Sequence, residues 1–301
     1  MSAHGLQPVR LVAADGSRAV IYPFGAHVTS WRTANGREQL YLSGEAALDG
    51  SAAIRGGIPV IFPQFASEGP LPKHGFARTA MWRVLDAGNG LPAVSERWDA
   101  ASRVTHDPGS PHAPSAGFEL VDSPATRALW PHAFRALVRV TLLPRALDLA
   151  LVVENTGSAS MAFTAALHTY LALDDAFRAE VWGLQGHPYR DSITRVPAVQ
   201  DEPVLRVTGA VNRVYAGAPG QISVRDGGRT LGVEAAGFRD AVVWNPGMEG
   251  EGALGDMPSG DSRRMLCVEP AVVEQPIVVL PGERWTAWHC LTAEIRAESV
   301  T

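Results

Sequence analysis

The chain is poor in cysteine: Cys267 and Cys290 are the only two in 301 residues. That excludes a disulfide-stapled scaffold, and both lie in apolar runs where buried thiols are expected. Positive charge is not in excess. Against 26 Lys and Arg stand 31 Asp and Glu, a net charge of −5. Such a balance lacks the electrostatic footprint of a protein that binds nucleic acid or anionic lipid. No window approaches the ~18 uninterrupted apolar residues of a membrane span. The opening stretch MSAHGLQPVRLVAADG has no basic segment leading into an apolar core, so a cytoplasmic protein without a leader is expected.

Nucleotide, metal and hydrolase signatures are missing as well. No glycine-rich stretch ends in Gly-Lys-Ser/Thr, and no Gly-x-Gly-x-x-Gly stands between a strand and a helix. The nine histidines are scattered, with no His-x-x-x-His, and there is no Gly-x-Ser-x-Gly. Neither a cofactor nor a metal is expected. Helical periodicity is weak: residues 44–48 and 129–131 could each hold a turn or two.

What the chain has is punctuation, 30 Gly and 22 Pro, between short alternating runs. Strands are predicted over 19–22, 24–31, 80–84, 118–121, 134–142, 147–154, 223–225, 230–234, 241–244, 265–269 and 285–291. Asn35-Gly36 is a turn signal. Residues 100–116 and the Gly-rich, acidic 246–261 read as loop or disorder. With no repeat and no shift of composition, residues 1–301 are expected to form a single all-β domain of sandwich type.

Residues 54–78, IRGGIPVIFPQFASEGPLPKHGFAR, suit neither a regular strand nor a helix. Irregular backbone that carries Arg, Gln, Lys and His together favours binding chemistry, though an ordinary surface loop has the same composition. In 163–171, alternation puts Phe163, Ala165, Leu167 and Leu171 on one face and Thr164, Ala166, His168 and Tyr170 on the other. His168 is then either a structural imidazole or one facing a concave surface. Glu269 closes an apolar run before Pro270, a residue expected to end pairing. A carboxylate there is either salt-bridged or raised in pKa, as general bases are. Trp244 and Asn245, at another strand end, suit a sugar, and Trp244 suits a core equally.

Taken in order, Ile54-Arg55-Gly56-Gly57-Ile58-Pro59, Pro63-Gln64-Phe65, Leu71-Pro72-Lys73-His74-Gly75-Phe76-Ala77-Arg78, Leu167-His168-Thr169-Tyr170, Val243-Trp244-Asn245-Pro246 and Cys267-Val268-Glu269-Pro270 carry a family likeness. So do Ser123-Pro124-Ala125-Thr126-Arg127, Leu129-Trp130-Pro131-His132, Gly183-Leu184-Gln185-Gly186 and Leu280-Pro281-Gly282-Glu283. The set, spanning about 24–291, resembles the hexose-6-phosphate mutarotase branch of the aldose 1-epimerase family. The resemblance implies a galactose-mutarotase-like antiparallel β-supersandwich and an isomerase that exchanges the α and β anomers of a hexose 6-phosphate. Relatives acting on unphosphorylated aldoses, or a non-catalytic sugar-phosphate-binding module, are the alternatives. It implies His168 as general acid and Glu269 as general base. Arg55 and Arg78 are the implied phosphate ligands, with Gln64, His74, Asn212 and Trp244 as further substrate contacts. Lys73 could add a point charge. A small sugar phosphate, neither nucleic acid nor membrane, is the implied partner of a monomer or weak dimer. One departure is Val211-Asn212-Arg213-Val214-Tyr215, where the family commonly has Asp in place of Asn212.

Overall fold

The computed structural model describes residues 6–85 and 113–295. Two large antiparallel sheets face each other, with a small three-stranded sheet (Val9–Val12, Arg18–Tyr22, His27–Arg32) beside them. The nine-stranded sheet runs Val204–Arg206, Glu180–Trp182, Gln221–Asp226, Arg229–Ala236, Arg284–Ile295, Ala146–Asn155, Phe134–Leu143, Ser115–Val121, Arg83–Leu85. The other sheet runs Pro197–Val199, Pro188–Asp191, Val211–Ala216, Asp240–Asn245, Met265–Val279, Met161–Leu167, Val60–Ile61, and Tyr170–Ala172 also pairs with Met265–Val279. The all-β expectation holds.

Side-chain alternation builds the core between the sheets. Val138, Val140, Leu142, Leu149, Leu151 and Val153 from the nine-stranded sheet share one apolar cluster with Phe163, Ala165, Leu167, Leu266, Val268 and Val272 from the other. The intervening residues of the second sheet face away from that core. Ala166, Val214, Val242, Ala271 and Val273 form one cluster there, and Tyr170, Met265 and Cys267 another. This second face is the floor of a cleft.

The structure corrects three expectations. Pro270 does not end its strand, which continues to Val279 with Pro270 opposite Ala241. Val268 N–H donates to the Thr169 carbonyl. Two residues on, the same edge meets Pro270, where the ladder to Met161–Leu167 is already broken at His168, so no donor is lost. Residues 246–261 are not loose: they form the short helix Gly247–Gly250 and the turns Glu251–Ala253 and Asp261–Arg264. Buried Glu251 accepts from the Gly260 and Ser262 amides, which closes the excursion onto itself. Asn245, read as a sugar contact, is fully buried. Its amide donates to the Ser262 and Met265 carbonyls, and its oxygen accepts from Gly247 N–H. Of the expected irregular segment 100–116, residues 100–112 lie outside the described residues, and its end already belongs to Ser115–Val121.

Because Asn245 satisfies three backbone groups in a dry site, Asn245→Ala is expected to cost about 2–4 kcal/mol of unfolding free energy, read by urea denaturation. A loss under about 0.5 kcal/mol would show that the excursion is held by other contacts.

Candidate active site

The sheet register brings the two candidate acid–base residues together. Tyr170 lies opposite Cys267, and Ala166 opposite Ala271. His168 therefore falls opposite Glu269, on the cleft face of both segments. His168 Nδ1 and Glu269 Oε1 are 3.1 Å apart. Glu269 is 1% exposed, yet both residues line a cavity of about 630 Å³. That volume is in the range of small-molecule sites. Despite the short approach, neither His168 Nδ1 nor Glu269 Oε2 makes a well-directed hydrogen bond. Unpaired buried polar atoms are costly and call for a partner.

The segment 54–78 supplies the cationic wall. Its two ends meet because glycine allows close approach. At Gly57 (φ 64°) a Cβ would sit 2.1 Å from the Val28 carbonyl oxygen, and at Gly75 (φ 67°) 2.2 Å from that of Phe62. The chain thus returns with Arg55, Lys73, His74 and Arg78 on one cavity. Arg55 is clamped from two sides, donating from Nε to Asp256 Oδ1 at 3.0 Å and from an Nη to the Tyr170 hydroxyl at 2.9 Å. The Tyr170 ring stacks on His168 at 4.7 Å and 10°. Arg78 donates to the Lys73 carbonyl at 3.1 Å. His74 Nδ1 accepts from Ala66 N–H at 3.2 Å, which leaves the Nε2 proton for a ligand, and its ring lies 5.5 Å from that of His168.

Burial sets the protonation. It pushes the His168 imidazole well below its ordinary value, and His74, Arg78, Arg55 and Lys73 push the same way. Burial alone lifts the Glu269 carboxyl well above the usual range. His74 is lowered to about 3, by burial and then by Arg78, Lys73 and Arg55, and is a neutral donor. Cys267 is the third member of a cluster with His168 and Glu269 whose ligand-type atoms lie within 4.8 Å. Burial also raises its thiol, with Glu269 adding to the effect. A cation would have to displace both acidic protons, so this donor set reads as proton-bearing.

Acid sensitivity follows from three histidines. Burial lowers His27 and His289 to about 4, as it lowers His74 to about 3. The folded state binds fewer protons at these sites than the unfolded chain, so their contribution to stability is complete above about pH 6.5 and is lost as pH falls toward 4. Chemical denaturation between pH 7 and 4.5 should show stability falling steadily. A flat profile would contradict buried neutral imidazoles.

Of the residues expected from sequence, Arg55, His74, Arg78, His168, Asn212, Trp244 and Glu269 all line the cavity. Asn212 and Trp244 face each other across neighbouring strands. Gln64 does not line it. Its amide donates to the Ala66 and Leu71 carbonyls and accepts from Leu71 N–H, so it shapes the loop beside the cavity. The sequence reading missed the hairpin wall of Arg190, Asp191, Ser192 and Arg195. Its flanking strands have four and three residues and show no usable alternation. Tyr170 was placed on the face of His168 without a role. Asp256 lay in the supposed loop.

A buried His–Glu pair on the floor of a cleft between antiparallel strands, walled by cations, suits a polar, anionic ligand. The aldose 1-epimerase family model matches residues 8–292, and the chain belongs to the aldose 1-epimerase family. Among curated proteins it is similar to one from Cenchrus ciliaris that carries the provisional name glucose-6-phosphate 1-epimerase, 36% identical over 298 residues (96% of this chain, 85% of the relative). A Salmonella typhimurium protein of the same provisional name is 30% identical over 84% of this chain and 79% of its own length. A Salmonella typhimurium crystal structure, described provisionally as a mutarotase, superposes with a TM-score of 0.78 at 26% identity, covering 93% of this chain and 88% of that one. The Synechocystis protein Slr1438 shares the fold, with a TM-score of 0.76 at 21% identity and coverage of 98% and 99%.

Proposed function

We propose that this protein interconverts the α and β anomers of hexose 6-phosphates, glucose 6-phosphate foremost, by opening and reclosing the sugar ring. The observation that carries the reading is a buried acid–base pair sharing one cavity with Arg55, Lys73 and Arg78. Opening a cyclic hemiacetal requires one group to take the O1 proton while another protonates the ring oxygen. Glu269 takes the first and His168 gives the second. Rotation about C1–C2 presents the other carbonyl face, and reclosure returns both protons. No net redox change occurs. His74 donates from Nε2 near the ring oxygen, while Asn212 and Trp244 hold the ring. Arg55 and Arg78 bind the phosphate dianion, with Lys73 as a point charge. Gln64 acts at one remove, holding the loop that carries His74.

A monomer or weak dimer is the working form that we propose. We take residues 1–301 as one domain. Among the described residues no helix is long and apolar enough to cross a membrane. A dianionic substrate that does not cross membranes unaided supports a cytoplasmic site of action.

The test is anomer exchange measured on glucose, galactose and mannose 6-phosphates beside their free sugars, with the uncatalysed rate subtracted. The phosphorylated sugars should be preferred. Equal acceleration of free and phosphorylated sugars would instead make the protein an aldose mutarotase.

A further inference from the structure

The wall of cations has a second consequence, which rests on the hexose-phosphate reading. His168 is surrounded by groups that oppose its charging: His74 on one side, and Arg55, Lys73 and Arg78 around the same cavity. Tyr170 and Cys267, which also face it, are held neutral by burial. Among the described residues the acid in contact with it is Glu269, 3.1 Å away. Burial and these cations lower the proton affinity of the imidazole, and burial raises that of the Glu269 carboxyl, the reverse of what ring opening needs. Two links tie the cations to the pair. One is electrostatic, and the other is the hydrogen bond from Arg55 to the Tyr170 hydroxyl, whose ring stacks on His168.

We propose that a phosphoryl anion bound among Arg55, Lys73 and Arg78 switches the enzyme on by drawing a proton from Glu269 across to His168, so that a free anion activates the protein toward a sugar that carries no phosphate. The step is balanced: Glu269 loses a proton from Oε, His168 Nδ1 gains it, and the net charge of the pair does not change. The carboxylate is then a base for O1–H, and the imidazolium donates from Nε2 to the ring oxygen. The dianion supplies the trigger by cancelling the field of the three cations. Phosphate binding is thereby an on-switch as well as an anchor.

The experiment uses the full chain, glucose and inorganic phosphate. Anomer exchange of glucose is followed by polarimetry as phosphate is titrated, with sodium chloride at matched ionic strength as control. The enzyme-free rate at each phosphate concentration is subtracted, because phosphate is itself a general base. Phosphate is expected to raise the enzymatic rate on glucose about tenfold or more, the ratio that one unit of proton affinity corresponds to. It should also move the limbs of the pH–rate profile, which a purely structural effect of the anion would not do. Arg78→Ala should abolish the activation. The wild-type titration stands without the variant. Rapid turnover of glucose 6-phosphate together with phosphate that inhibits glucose turnover, or leaves it unchanged, would overturn the switch and spare the substrate reading. Failure to accelerate glucose 6-phosphate at all would remove the substrate reading and the switch with it.

Discussion

Glu269→Gln is expected to lower the rate of glucose 6-phosphate anomerisation by on the order of 10²–10⁴-fold while leaving the fold intact or firmer. The two effects have one cause. Glu269 is enclosed in an apolar setting on the strand Met265–Val279, with Val242 and Ala271 as close neighbours on the cleft face. Burial raises its proton affinity. A carboxyl whose folded value lies above the unfolded one supports stability fully only below the unfolded value, and its contribution declines as pH rises. At neutral pH the residue therefore burdens the fold, and the isosteric amide lifts that burden. His168→Ala should cost a similar factor. Because acid and base act on the same event, the double variant should be little worse than either single one. Stopped polarimetry gives the rates and urea denaturation the stability. If both single variants exchange anomers as fast as the wild type, the pair is not the reaction centre. If Glu269→Gln loses activity only by unfolding, Glu269 is structural.

Removing Arg55 and Arg78 together should reverse the substrate preference. Each guanidinium offers charge-assisted hydrogen bonds to a phosphate dianion, and such bonds contribute about 1.5–3 kcal/mol apiece. Arg55→Ala with Arg78→Ala is expected to reduce kcat/KM for glucose 6-phosphate by on the order of 10²–10³-fold, and, because it removes two of the cations that oppose charging of His168, to leave turnover of glucose unchanged or raised. Arg55 has a further partner to release. Asp256, no longer paired, would stand as a bare carboxylate near the anion site, so Asp256→Asn in the Arg55→Ala background should recover part of the loss. An equal fall on both sugars would show that the arginines hold the cleft together rather than the phosphate.

How much of this was legible before the fold was known depends on the length and alternation of each segment. The parity reading of 163–171 was correct residue by residue: Phe163, Ala165, Leu167 and Leu171 lie in the inter-sheet core, and Ala166 and Tyr170 on the other face. A strand between two buried faces still alternates in direction, and that is enough to aim His168. What the alternation did not reveal is that Glu269 lies directly opposite. That fact belongs to the pairing of segments a hundred residues apart. The strand Met265–Val279 was cut short at Pro270 because a missing N–H normally ends a ladder, and here it coincides with a break that the kink at His168–Thr169 has already made. Residues 246–261 read as loop because Gly and acidic residues dominate. Their order comes from buried Glu251 and Asn245, whose partners are backbone groups with no sequence signature. Gln64 was assigned to the sugar on a motif alone, and its hydrogen bonds are all internal to its loop.

The phosphate wall shows the same division. Arg55 and Arg78 were visible as residue types in an irregular segment. Their convergence depends on positive-φ glycines that let the chain double back at Gly57 and Gly75. The clamp of Asp256 and Tyr170 on Arg55 joins three parts of the chain that no local pattern connects.

The most direct measurement is proton exchange spectroscopy of the two C1–H resonances of glucose 6-phosphate, with the wild-type protein at micromolar concentration and the same sample without it. A cleft in which His168 and Glu269 open the ring predicts α–β exchange far faster than in buffer, with no other product formed. Exchange no faster than the protein-free sample, while the folded protein binds the sugar phosphate, would contradict it and leave a binding module in its place.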